Sequence, residues 1–186
     1  LVLASIALAL TSSAQADDAV RHSFLGLGKA NRAVIVGEDG KVEWRMDLPA
    51  SDGWVLENGN VLLAVYPCKG YPKGGVIEVE RKTKKIVFAY QGQQREISTA
   101  IALENGNILV SELGPEPRAI EINRKGEIVK KMLFQCQKGN AHMQTRMLRV
   151  LPNGNYIAPH LLDFAVKEYE PATGKVVKSF STDDRG

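Results

Sequence analysis

At 186 residues, 44% hydrophobic and 24% charged, the chain has the length and composition of one globular domain, and its 17 glycines suit many tight turns. The net charge is +3, from 24 Lys and Arg against 21 Asp and Glu, and the basic residues are scattered along the sequence. That scatter argues against a nucleic-acid partner, which calls for cations gathered on one face.

Residues 1–10, LVLASIALAL, form an uninterrupted apolar run, followed by Ala14-Gln15-Ala16 and then Asp17-Asp18. An apolar run before a small-x-small site reads as a signal peptide over 1–16, too short for a bilayer span of about 20 residues. Neither Met nor a basic segment precedes the run, so the chain is expected to start inside its signal peptide. The mature protein would begin at Asp17, be exported to the periplasm or the extracellular space, and carry no membrane span. Residues 17–32 read as a lead-in. Export permits a disulfide between Cys68 and Cys136, but two cysteines make no framework, and two free thiols serve equally well.

The rest of the chain repeats. First comes AVIVGEDGKVEWRM (33–46), two apolar runs around Asp39-Gly40, the pattern of a hairpin. WVLENGNVLLAV (54–65) pairs with VIEVERKTKKIVFAY (76–90), LENGNILVSEL (103–113) with AIEINRKGEIVKKML (119–133), and LPNGNYIAPHL (151–161) with VKEYEPATGKVVKSF (166–180). Asn58, Asn105 and Asn153 recur at spacings of 47 and then 48 residues. Asn-Gly supplies the two positive-φ residues of a type I′ hairpin turn, so each first member predicts strand, two-residue turn, strand. Each second member alternates: Val76, Glu78 and Glu80 face one way, Ile77, Val79 and Arg81 the other. The basic run from Arg81 to Lys85 falls at a hairpin tip and reads as a solvated turn.

Two hairpins in about 45 residues make one four-stranded antiparallel sheet, and no apolar stripe at helical spacing appears beyond the first segment. Such a sheet cannot bury both of its faces alone, and radial stacking buries them. The prediction is an all-β fold, a β-propeller of four-stranded antiparallel blades with few helices. The blades are placed at 52–91, 97–136 and 144–182, preceded by the opening hairpin, within an incomplete propeller over 33–186. Because propellers close with about four to eight blades, the sequence is expected to be part of a longer one.

The pattern Leu-x-Asn-Gly-Asn-x-Leu, then Val-x-Glu, then Gly-x-Val-Val, resembles that of the bacterial PQQ-like and arylsulfotransferase-like β-propellers, and NHL-type propellers are similar. This likeness covers 33–182 and implies an exported propeller of about six to eight blades while leaving activity open. In such repeats a Trp often closes the last strand; here only Trp44 does, and Lys130 and Lys178 hold the equivalent places. Quinone-dependent dehydrogenases of this class use adjacent cysteines and a set of calcium ligands. Cys68 and Cys136 are not adjacent and no ligand cluster of that kind is visible, so a quinone is disfavoured and no cofactor is expected.

Sites in propellers form where the loops after the second strand and between blades converge on the channel. Five residues beyond each Asn-Gly-Asn, the three copies read Val65, Glu112 and His160, while Leu56, Leu103 and Leu151 stay apolar. The blade-linking segment CQKGNAHMQTRMLRV adds His142, Gln144 and Arg146 where the aligned segments hold no histidine. Glu112, His142, Gln144, Arg146 and His160 are therefore the candidate ligand-binding residues, with His142, His160 and Arg146 the candidates for catalysis. His with Glu can exchange protons, and Arg can hold an anion. Two histidines and a carboxylate suit a metal as well, although no metal is expected. The competing readings are a strand-end His160 satisfied by backbone, a solvated Glu112 and a blade-to-blade salt bridge at Arg146. Tyr66, Trp54 and Phe164 read as core or rim packing. The leading expectation is an exported propeller that binds a small molecule or a protein at its channel mouth. The alternatives are a propeller enzyme using the mouth histidines and arginine, and a structural scaffold.

Overall fold

The computed structural model describes residues 21–30 and 32–183. The segment read as a signal peptide lies outside the described residues. The first sheet contains β1 (Phe24–Gly28), β2 (Arg32–Val36) and β3 (Val42–Met46). A second holds β4 (Ala50–Val55), β5 (Val61–Val65), β6 (Gly75–Val79) and β7 (Ile86–Gln91). The third holds β8 (Glu96–Ala102), β9 (Ile108–Leu113), β10 (Arg118–Ile122) and β11 (Ile128–Leu133). After one helical turn, α1 (Ala141–Gln144), the fourth runs through β12 (Arg149–Val150), β13 (Tyr156–His160), β14 (Ala165–Glu170) and β15 (Lys175–Ser181). Every pairing between these strands is antiparallel and joins neighbours in sequence, the meander expected of propeller blades. The opening unit is a three-stranded sheet rather than a hairpin, because Phe24–Gly28, inside the stretch read as a lead-in, pairs with Arg32–Val36.

Period-two burial on both faces explains the unbroken apolar runs. Along β5, Val61, Leu63 and Val65 pack with Ala33, Ile35 and Trp44 of the first sheet, while Leu62 and Ala64 pack with Ile97, Ala100 and Val110 of the third. The next layer joins Leu109, Ala119 and Met132 to Leu148, Tyr156 and Tyr169. All five residues of β5 and all six of β9 are buried. In the two end sheets burial alternates, since one face of each has no neighbouring sheet among the described residues. Cys68 and Cys136 are free thiols belonging to different core layers.

The Asn-Gly-Asn turns are not type I′. Gly59, Gly106 and Gly154 have positive φ, at 81°, 84° and 81°, but the asparagines before them do not. Gly59 N–H donates to Leu56 O at 2.8 Å, and Leu56 N–H donates to Asn60 O at 2.8 Å. This is a type I turn followed by a glycine bulge, a three-residue loop that needs only one left-handed residue. The asparagines have other work. Asn58 Oδ1 accepts the N–H of Asn60 at 3.0 Å, and both amides donate to Glu78 Oε1 on the third strand, Asn60 at 2.7 Å. Asn105 and Asn107 grip Glu121 at 2.8 and 2.6 Å, and Asn153 and Asn155 grip Glu168 at 3.2 and 2.7 Å. The motif thus ties the first turn of each blade to its third strand.

Candidate functional site

In a meander the turns alternate between two ends of the sheet. The Asn-Gly-Asn turns occupy one face, whereas the β1–β2, β5–β6, β9–β10 and β13–β14 loops and the links between sheets occupy the other. On that second face five side chains meet. Lys29 comes from the β1–β2 loop, Tyr66 follows β5, Glu96 opens β8, and His142 and Arg146 come from the link between the third and fourth sheets.

The link is bolted down by neighbours. Asn140 caps α1 through Oδ1, which accepts the His142 N–H at 3.0 Å. Gln144 is buried and exchanges two hydrogen bonds with the Gly114 backbone, accepting at 2.9 Å and donating at 2.8 Å, and donates a third to Lys138 O. Thr145 Oγ1 donates to Pro159 O at 2.7 Å. Met147, a non-glycine residue at φ 50°, then turns the chain into β12, the kind of strained backbone that persists only where its surroundings enforce it.

These anchors aim His142 and Arg146 at Glu96. His142 Nδ1 lies 3.0 and 3.1 Å from the two carboxylate oxygens, and Arg146 Nη1 donates to Oε1 at 2.6 Å. Arg146 Nη2 also donates to His142 O and lies against Nδ1. Lys29 Nζ is 3.1 Å from His142 Nε2. An ammonium can only donate, so Nε2 accepts from Lys29, and the proton of the neutral ring then sits on Nδ1, facing the Glu96 carboxylate. Tyr66 floors the cluster: its ring centre is 6.0 Å from that of His142, 5.3 Å from Lys29 Nζ and 5.9 Å from Arg146 Cζ. Beside it opens a cavity of about 320 Å³ lined by Lys29, Pro49, Tyr66, Pro67, Cys68 and Glu96. Burial raises the Tyr66 phenol and the Cys68 thiol above their ordinary pKa values.

The other sequence candidates lie apart from this cavity. Glu112 is fully buried; it accepts from Arg118 Nε at 2.8 Å and Nη2 at 2.6 Å, and from the backbone N–H groups of Gln93 and Gln94. It holds the link between the second and third sheets. His160 is 1% exposed and sits edge-on to Phe134 and Tyr169. Its Nδ1–H donates to Gln144 O at 3.0 Å and its Nε2 accepts the Tyr169 hydroxyl at 2.6 Å, so both ring nitrogens are used. Burial pushes its pKa below the ordinary histidine value. The structure therefore gathers His142 and Arg146, uses Gln144 to position them, and separates Glu112 and His160 from them. Lys29, Tyr66 and Glu96 complete the cluster without having been singled out as site residues. Glu96 stood where Pro49 stands in the preceding blade, a departure in the repeat that was open to notice.

Arg149 on β12 reaches past β8 to buried Asp52 on β4, at 3.1 and 3.2 Å, and lies over Trp54. A larger cavity, about 730 Å³, opens on the opposite face among Trp54, Leu56, Leu103 and Arg124; Arg124 is tied to Glu78. Among the described residues no group of three or more His, Cys, Asp or Glu side chains is placed to hold a metal ion, and no helix is long and apolar enough to cross a membrane.

No family model matches the chain, and no curated protein matches it. Solved structures do. A protein of unknown function from Bacteroides caccae is similar over 88% of this chain and 58% of its own, with 22% identity and a TM-score of 0.73. A histidine-to-alanine, catalytically inactive virginiamycin B lyase from Staphylococcus aureus, solved with quinupristin, aligns over 89% of this chain and 56% of its own, with 13% identity and a TM-score of 0.62. The WD40 β-propeller domain of Doa1 aligns over 81% of this chain and 47% of its own, with 11% identity and a TM-score of 0.60. The chain thus spans about half the length of the solved structures it matches. At these identities the likeness establishes the fold: the chain is a β-propeller protein, here with one three-stranded and three four-stranded antiparallel sheets among the described residues.

Proposed function

We propose that this is an exported propeller that binds a small ligand at the channel mouth, through Lys29, Tyr66, Glu96, His142 and Arg146. The observation that carries the reading is a cavity of about 320 Å³, within the size range of small-molecule sites, lined by Lys29, Tyr66 and Glu96 from separate segments, with His142 and Arg146 from one link bonded to Glu96. Export rests on the apolar run and Ala14-Gln15-Ala16 at the head of the sequence. A fragment set spanning carboxylates, amides and amines, screened by saturation-transfer NMR against the wild type and His142→Ala, tests the reading. Hits that vanish in the variant support it; an identical hit list for both proteins contradicts it.

An enzymatic reading is favoured by one observation. His142 Nδ1–H is fixed on Glu96, so the lone pair of Nε2 stands at the mouth beneath Lys29. That is the arrangement of a general base oriented by a carboxylate. Among the structural neighbours, the lyase is inactive as its histidine-to-alanine variant, which makes a histidine-dependent reaction on this fold a concrete precedent. On this reading Glu96→Gln lowers turnover of an accepted substrate by about a hundredfold. Equal turnover by both proteins contradicts it.

A further inference from the structure

We infer that the ligand taken at this mouth is a small organic monoanion, a carboxylate carried on an apolar or aromatic body; the inference rests on the mouth being a binding site.

The charges are unequal. Lys29 and Arg146 bring two cations, against Glu96 alone. Both oxygens of Glu96 are committed to His142 and Arg146, so this carboxylate has little left for an incoming amine. Arg146 is committed as well, to Glu96 and to the His142 carbonyl. Lys29 is different. It is exposed, and among the described residues no carboxylate lies within ion-pair distance of it; its ammonium rests on an imidazole nitrogen and a phenol ring. Two of its three N–H groups remain for a ligand. An ammonium in that position offers an anion a charge-assisted hydrogen bond with no internal ion pair to break first.

The walls select the rest of the molecule. Pro49, Tyr66, Pro67 and Cys68 line the cavity, and none of them offers a charge. A bare inorganic anion would leave that surface wet, whereas a ring-sized body would cover it. Tyr66 supplies an aromatic face beside the cation that fixes the head group.

The test uses the whole chain and four probes: benzoate, benzamide, benzylamine and inorganic phosphate. Imidazole and Tyr66 ring signals are followed by NMR during each titration. Benzoate is expected to move the His142 and Tyr66 signals saturably, with benzamide at least about tenfold weaker. Lys29→Gln should weaken benzoate by about tenfold while Lys29→Arg retains it, with Tm unchanged in both because Lys29 sits on an exposed loop. Benzamide or benzylamine binding as tightly as benzoate at the same signals overturns the anion class and leaves the binding site standing. Phosphate binding as tightly as benzoate overturns the organic body. No response of His142 and Tyr66 to any probe overturns the inference; an unchanged response in Lys29→Gln removes Lys29 from it.

Discussion

His142 and Glu96 are 46 residues apart in sequence, yet Nδ1 of the imidazole lies 3.0 and 3.1 Å from the two oxygens of the carboxylate. Glu96 opens the innermost strand of the third sheet, and His142 sits on the single helical turn that leads into the fourth. The contact orients the ring, selects its tautomer, and holds the inter-sheet link over the mouth.

Glu96→Gln should release that tautomer. In the wild type, imidazole nitrogen shifts at mildly alkaline pH are expected to show a protonated Nδ1 and an unprotonated Nε2 on His142. In the variant the two nitrogens should become more alike, because the carboxylate that selects Nδ1–H is gone. A protonated Nε2 in the wild type would contradict the assignment.

Tyr169→Phe should destabilise the protein by about 1–3 kcal/mol, since it leaves buried His160 Nε2 without its donor. Denaturant unfolding measures this, and a loss below the error of the fit would contradict it.

His160 should also make stability depend on pH. Burial holds its folded-state pKa below the unfolded value of 6.5, so above 6.5 its contribution is intact. As pH falls below 6.5 the unfolded chain takes up the proton first, and stability is lost down through the folded-state value. Unfolding free energies of the wild type should fall across that window relative to His160→Phe; parallel curves would show that the ring is not held neutral.

Asn107→Ala should cost about 1–2 kcal/mol by removing the shorter hydrogen bond to Glu121. The Asn107 hydrogen bond holds the Glu121 carboxyl below its ordinary pKa against the opposing effect of burial, with Asn105 and Lys130 assisting. That stabilisation is present above the ordinary carboxylate value and is lost as pH falls through the folded one. The acid limb of the stability curve should therefore be shallower in the variant; an unchanged limb would mean that the asparagines shape only the turn.

Lys84→Gly should stabilise the second sheet slightly, by up to about 1 kcal/mol. Lys84 takes φ 59° in the β6–β7 turn, where the other blades place Gly40, Gly126 and Gly174. A non-glycine side chain in that region is strained by about 1–2 kcal/mol, partly offset by the greater freedom glycine has when unfolded. A lower Tm in the variant would contradict this.

The architecture was legible because each blade writes it in local terms. Val61 to Val65 is apolar on both faces, the turns carry Asn-Gly-Asn, and the copies return at nearly constant spacing. The turn type was less legible, since one triplet suits either a two-residue turn or a three-residue turn with a bulge, and only the φ of Asn58 separates them. The partner of the second asparagine, Glu78, lies on the third strand and leaves no mark near the turn.

The site was legible in part. His142 and Arg146 stood out because their link has no histidine in the other copies. At the position occupied by Val65, Glu112 and His160, the departures from the repeat serve internal contacts: an Arg118 pair in one blade and a Tyr169 hydroxyl in another. Lys29 meets His142 across 113 residues, and Glu96 meets Arg146 across 50. Such pairings arise from the stacking of blades around an axis, which no local pattern encodes.

The central claim is that the mouth around His142, and not the buried ring of His160, is where this propeller meets its ligand. Imidazole NMR during titration with the fragment set reads both histidines at once. Ligands are predicted to move the His142 signals saturably and leave those of His160 in place. Shifts confined to His160, or hits that leave both rings unmoved, would contradict the account.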